Sequence, residues 1–172
     1  MILPISTYGS SVLRKKSEPV ENITPDLVEL AQNMLETMYK ANGVGLAAPQ
    51  IGKNIRLVVI DLSKEDEERT PIILFNPQAA PEEGENPLET DEEGCLSVPD
   101  IWAKVSRPSR MHLTYTNENS ETVEMHDVTG KLARCIQHEI DHLNGILFVD
   151  KISTADRAIN SSKLKRMAKG KK

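Results

Sequence analysis

Apolar residues recur at helical spacing in some stretches of this chain and cluster or alternate in others, which separates its helices from its strands. From Thr24 to Asn42 the positions Leu27, Leu30, Ala31, Met34, Leu35 and Met38 share one face of a helix. Thr24 is placed to cap it, Pro25 suits the first helical position, and Gly43 is placed to end it. The short apolar runs Ile55–Ile60 and Ile72–Phe75 are bounded by Asn, Asp and Pro and read as buried strands. Met111–Thr116 and Thr122–His126 alternate, which predicts a hairpin turning at Asn117–Ser120. Leu132, Cys135, Ile136, Glu139 and Leu143 return at helical spacing and predict a second helix over Lys131–Leu143. A third helix is expected to start near Thr154 and run into the C-terminal end. Strands grouped between helices, not strictly alternating with them, predict an α+β fold. Its short strands would form small mixed or antiparallel sheets around the second helix, with an N-terminal and a C-terminal helix outside.

Length and composition narrow the picture. The 172 residues, 38% hydrophobic and 27% charged, are the size of one soluble domain with a real core. No internal repeat or linker divides residues 1–172. No apolar run approaches the ~20 residues that span a bilayer, so no membrane role is expected. Met1-Ile-Leu-Pro-Ile-Ser lacks the features of a secretory signal or transit peptide, so the chain is expected to start here and stay in the cytoplasm. A net charge of −5 argues against general or sequence-specific nucleic-acid binding. The charge is uneven, however. Glu65–Glu68 and Glu82–Glu93 are acidic, while a basic tail over 163–172 holds Lys163, Lys165, Arg166, Lys169, Lys171 and Lys172. In a chain of this kind the two cysteines, Cys95 and Cys135, are expected as catalytic, metal-binding or buried thiols rather than a disulfide.

The sharpest chemical signal lies on the second predicted helix: His138-Glu139-Ile140-Asp141-His142. Histidines four apart on a helix stand one above the other, so both imidazoles can reach one cation. Glu139 is placed to take a proton from a water without being a ligand. With four histidines in the chain, chance would produce this pattern in about 0.01 such sequences. A catalytic site of this type needs a third protein ligand. No histidine stands where the longer HExxHxxGxxH pattern would put one, since Phe148 occupies that position, and no glutamate follows Glu139. The third ligand must then come from upstream, where Cys95, His112, His126 and several carboxylates are candidates. Cys95 has the best setting, because Gly94 lets the backbone approach closely and a thiolate binds Zn²⁺ or Fe²⁺ strongly. His112 and His126 read as ordinary strand or surface histidines, and Cys135 as a small buried residue lining the site. The glycine-rich segment Gly43–Gly52 lacks the Lys-Ser/Thr ending of a phosphate loop.

Three segments, in order, resemble the peptide deformylase family: Gly43-Val-Gly-Leu-Ala-Ala-Pro-Gln-Ile-Gly52, Glu93-Gly-Cys-Leu-Ser-Val-Pro99 and Gln137-His-Glu-Ile-Asp-His-Leu-Asn-Gly145. Leu3-Pro-Ile and Val12-Leu-Arg14 are also similar, so the likeness runs from the N-terminus to about Asp150. It implies a hydrolase that removes the formyl group from N-formylmethionine on newly made polypeptides. Cys95, His138 and His142 would hold one divalent ion, Fe²⁺ ahead of Zn²⁺. Glu139 would be the general base and then the acid. The Gln50 side chain and the Leu96 backbone N–H would bind the oxygen that becomes negative. Val44, Gly45, Gly94 and Cys135 would line the substrate site, with Gly45 presenting its backbone, and Glu93 and Arg107 would brace the cysteine loop at the substrate site. Where the family often has a polar residue, this chain has Ile101 and its only tryptophan, Trp102, either a packed loop aromatic or a substrate contact. The implied partner is a nascent chain still on the ribosome, whose phosphate surface would attract the basic tail. A conventional metallopeptidase and a metal-stabilised binding module remain the alternatives from the residues alone.

Overall fold

The structure, a computed structural model, describes residues 1–170. The first helix, α1, runs Pro25–Lys40, with the Thr24 side chain accepting a hydrogen bond from the Leu27 N–H. Its end differs from expectation. Asn42, at φ 59°, makes the left-handed turn, and the Gly43 N–H closes on the Met38 carbonyl at 2.9 Å. Gly43 is needed for a different reason: a Cβ there would lie 2.8 Å from Leu96 Cδ1.

Both predicted apolar runs are strands, and a further short strand precedes them: β1 Gly45–Ala47, β2 Leu57–Ile60 and β3 Ile72–Pro81. Two hairpins follow, β4 Leu88–Cys95 with β5 Val98–Pro108, and β6 Met111–Thr116 with β7 Thr122–Val128. One sheet has the order β1-β2-β3-β6-β7, antiparallel throughout, and the β4–β5 hairpin forms a second. The helices α2 Gly130–Leu143 and α3 Thr154–Lys169 complete the mixed α+β fold, and short 3-10 turns cover Ser11–Arg14, Ala48–Ile51 and Phe148–Asp150.

At β2 the larger sheet is covered on both faces, which explains why this strand is apolar at every position. Leu57 and Val59 join Ala31, Met34, Leu35 and Met38 of α1 in one buried cluster. Val58 and Ile60 point the other way and join Ala133, Cys135, Ile136 and Leu143 of α2. A third cluster fastens the β4–β5 hairpin, through Val98, Ile101, Ala103 and Val105, to Leu147, Phe148, Val149 and Leu164 of α3.

One expectation needs correction. The segment around Cys95 is not a loop but the end of a strand. Residues 88–92 are exposed at every position, so β4 carries no apolar pattern of its own and owes its form to pairing with β5. The described part of the basic tail continues the third helix, as expected. Through Lys169 it is the last part of α3, with Leu164 buried, Met167 packed beside it and the Lys163 Nζ donating to the Asp100 carbonyl at 3.2 Å. Lys171 and Lys172 lie outside the described residues. Among the described residues, no helix is long and apolar enough to cross a membrane.

After β2 the chain is pinned by Asp61, 3% exposed. Its carboxylate accepts from the Tyr39 hydroxyl at 2.5 Å, the Ser63 N–H at 2.8 Å and the Thr70 N–H at 3.1 Å. Its own N–H donates to the Val44 carbonyl at 2.9 Å. Burial opposes the charge on Asp61, but these bonds, led by Ser63, outweigh it and hold the carboxyl below its usual range. Tyr39 is pushed up to about 12, by burial first and then by Asp61. Because the folded-state pKa of Asp61 is depressed, its stabilisation is complete above the unfolded value near 4 and is lost as pH falls below it. Asp61→Asn should therefore cost about 1–3 kcal/mol at pH 7 and flatten the acid limb of stability. Urea unfolding at pH 7 and at pH 3 tests this, and an equally steep acid limb in both proteins would clear Asp61.

Candidate metal centre

The motif histidines sit on α2, one turn apart, with ring centroids 5.1 Å apart and the planes 70° to each other. The end of β4 carries Cys95 to them, and its Sγ lies 3.3 Å from His142 Nε2. One donor atom from each of Cys95, His138 and His142 falls within 4.8 Å of the others. His112 and His126, the other histidines weighed as ligands, stand on the β6–β7 hairpin and line no part of this site.

One buried carboxylate aligns the cluster. Glu93, 5% exposed, takes a hydrogen bond at Oε1 from His138 Nδ1 at 2.9 Å. That leaves His138 Nε2 for the centre. The same carboxylate accepts from Arg107 Nε at 2.6 Å and Nη2 at 2.9 Å, and from Arg134 Nη1 at 2.6 Å. Arg107 Nη1 continues to Asp141 Oδ2 at 3.0 Å, back on α2. Burial disfavours charge on Glu93, but His138 and Arg107 outweigh it and hold the carboxyl at about 2. Both Glu93 oxygens are thus engaged by protein, so its side chain acts on His138 and the arginines.

The electrostatics suit a cation. Burial keeps His142 well below its ordinary pKa, so it is a neutral imidazole with a lone pair to give. Burial opposes charge on His138 too, yet Cys95 and Glu93 raise its proton affinity well above the ordinary value. The anionic neighbours of His138 thus favour positive charge on its side of the cluster, while His142 stays neutral. Glu139 is 4% exposed, and its Oε1 is a buried oxygen with no protein partner among the described residues. Burial pushes its carboxyl up to about 7. A soft thiolate with two imidazoles, beside a carboxylate free to handle protons, fits Fe²⁺ or Zn²⁺ chemistry.

Around the cluster the remaining predicted residues line a groove of about 630 Å³. Gln50 is 1% exposed and fixed at both ends. Its Oε1 accepts from the Ala47 N–H at 2.9 Å, and its Nε2 donates to Ser97 Oγ at 3.0 Å and lies 3.6 Å from Cys95 Sγ. Gly45, on β1, passes so close to α2 that a Cβ would lie 2.6 Å from Glu139 Oε2 and 3.0 Å from Cys135 Sγ. Cys135 is buried, and burial raises its thiol pKa well above the ordinary value. Val44, Gly94 and Leu96 line the groove as well. Trp102 stands on β5, 66% exposed, and lies over Gly94, where a Cβ would meet its ring at 2.5 Å. Sequence reasoning missed Arg134, Asp141 and Ser97. Arg134 precedes His138 by one helical turn, which is the spacing that could have marked it.

A profile for the family described as polypeptide deformylase matches residues 2–158. The peptide deformylase of Mesorhizobium japonicum is 45% identical over 170 residues, covering 99% of this chain and 95% of that protein. A crystal structure of a peptide deformylase from Synechococcus elongatus in complex with actinonin is 40% identical, with a TM-score of 0.85 over 95% of this chain and 86% of that one. The structure of peptide deformylase from Thermus thermophilus is 37% identical, with a TM-score of 0.88 over 99% and 100% of the two chains. With the fold, the match along the chain and the motif segments in agreement, this protein belongs to the peptide deformylase family.

Proposed function

We propose that this protein, acting as one metallohydrolase domain over residues 1–172, hydrolyses the formyl group from N-formylmethionine at the start of new polypeptides. The observation that carries this reading is the convergence of Cys95, His138 and His142 beside the buried Glu139 carboxylate, whose Oε1 has no protein partner among the described residues, at the foot of a groove. The helix bearing the motif would be the element on which the site is built. A divalent cation on these three donors would supply Lewis acidity, making water a usable nucleophile near pH 7. We assign Fe²⁺ as the working ion, with Zn²⁺ the alternative. Anaerobic purification with metal analysis decides between them, and activity that survives long exposure to air would favour Zn²⁺.

Glu139 takes the proton from the attacking water and returns it to the departing amine as the C–N bond breaks, releasing formate and a free N-terminus. A carboxyl near 7 is matched to both halves of that task. As the formyl carbon turns tetrahedral, its oxygen becomes negative and is met by the Gln50 amide and the Leu96 N–H. Gln50 is suited to this because its Oε1 is tied to Ala47, which holds the NH₂ group toward Cys95. The bare backbone at Gly45 leaves room for the formyl group against Glu139. The methionine side chain would enter the groove past Cys135 and Ile101, with Val44, Gly94 and Trp102 at the chain that follows. Such substrates place the activity in the cytoplasm, beside ribosomes.

Formate release from a formyl-Met peptide, set against N-acetylated and unblocked peptides, tests the reaction. Turnover confined to the formylated substrate is expected, whereas cleavage of unblocked peptides would point to a peptidase. Glu139→Gln should keep its metal and lose roughly 10²–10⁴-fold in kcat. Cys95→Ala should lower metal content, and full retention there would remove Cys95 from the ligand set. Gly45→Ala should keep the metal but lose activity, because the added methyl lies at 2.6 Å from a Glu139 oxygen.

The exposed cations Lys163, Lys165, Arg166 and Lys169 of α3 would give the ribosome a phosphate-binding face. Because Leu164 is buried, deleting 163–172 would open the core, so charge must be removed instead. Changing Lys165, Arg166 and Lys169 to Gln should weaken ribosome co-sedimentation at low salt and leave turnover of a short peptide unchanged. Pelleting equal to wild type would dismiss the idea.

A further inference from the structure

The two histidines set aside at the metal centre meet elsewhere. Strands β6 and β7 pair from Thr116 with Thr122 to Leu113 with Met125, and then the register slips so that Met111 faces Val128. His126 and Asp127 therefore stand opposite His112 alone, which is a β-bulge. Asp127 takes φ 52° and accepts from Arg110 Nε at 2.9 Å. That turns Asp127 aside and lets His126 keep to the face that Glu124 occupies two residues earlier. His112 lies on the same face, between the buried Met111 and Leu113. As a result His112 Nε2 is 2.8 Å and His126 Nε2 is 3.0 Å from the same oxygen, Glu124 Oε1. The two rings lie 4.7 Å apart at 31°.

We propose that His112, Glu124 and His126 form a second cation site, on the outer face of the sheet and separate from the catalytic centre, for a divalent first-row ion such as Zn²⁺. All three donor atoms fall within 4.8 Å of one another. Ligands about 2.0–2.1 Å from a tetrahedral Zn²⁺ stand ~3.3 Å apart, so the two spacings to Glu124 need to open by only a few tenths of an ångström, and the two imidazole donors already lie within 4.8 Å of each other. Two imidazole nitrogens with one carboxylate suit Zn²⁺, Ni²⁺ or Cu²⁺ and not Mg²⁺ or Ca²⁺, which take oxygen. The donors stand on paired strands rather than a loop, so little ordering is required on binding. On β6 the neighbour across to β3 is Ala80, whose methyl leaves the face open. A bound ion would tie β7, the edge strand, to β6 through side chains and add to the backbone pairing there.

The test counts ions. Zn²⁺ is titrated by calorimetry into metal-loaded wild type and into His112→Gln, His126→Gln and Glu124→Gln. Wild type should take one equivalent more than either histidine variant, and Glu124→Gln should bind that equivalent more weakly. In wild type, the ring signals of His112 and His126 should shift in histidine-selective NMR while those of His138 and His142 stay in place. The chain has only four histidines, which makes these signals assignable. Turnover without added Zn²⁺ should be the same in all four proteins, showing that the variants are folded. If wild type takes no further ion, or if both histidine variants take as many as wild type, the site does not exist.

Discussion

The buried carboxylate of Glu93 is where the separate parts of this protein are tied together. It belongs to β4, a strand with almost no apolar side chain of its own, and it reaches across to α2 through His138 and Arg134. Arg107 of β5 grips both its oxygens and then Asp141 of α2, so each strand of the hairpin is joined to the helix by charge. Charges this deep are costly to strip of water, and removing one partner leaves the rest uncompensated, a loss of about 3–5 kcal/mol. The network therefore acts less as simple stabilisation than as alignment. It holds Cys95, two residues from Glu93, over the helix face that presents both imidazoles.

That constraint explains the division of labour among the core clusters. The larger sheet, with α1 on one face and α2 on the other, is ordinary apolar packing and needs no charge to define it. The hairpin is different. Its inner face meets Leu147, Phe148, Val149 and Leu164, yet its outer strand is polar at nearly every position. Apolar contact alone would let such a hairpin slide along the helix. Directional bonds from two arginines and a histidine do not allow that freedom.

Glycine placement follows from the same closeness. At Gly45 the β1 backbone passes within a methyl's reach of Glu139, and at Gly94 the chain passes beneath the Trp102 ring. Each contact brings backbone to a place where a side chain would fill the groove. The reactive side chains are thereby enclosed by main chain, which raises the Glu139 carboxyl by burial while leaving an opening for a peptide.

The sequence by itself determined the helices, the apolar strands and the metal-binding chemistry, because each of these is written in local spacing. Leu27 to Met38 repeat with a helical period, β2 is apolar throughout, and His138 and His142 are one turn apart on whatever helix forms. The lack of a downstream ligand and the Gly94 setting then pointed to Cys95, and resemblance between short motif segments supplied Gln50 and Gly45, which no local period marks. Only the tertiary structure decided the rest. The β4–β5 hairpin was hidden because its acidic strand has no alternation and is defined by a partner it pairs with. Arg134 and Asp141 gained their parts only when α2 came against Glu93. His112 and His126, fourteen positions apart in the numbering, were brought together by a bulge whose register no local pattern specifies. Periodicity reports which face a residue takes on its own element, whereas contacts between elements depend on packing that the period does not encode.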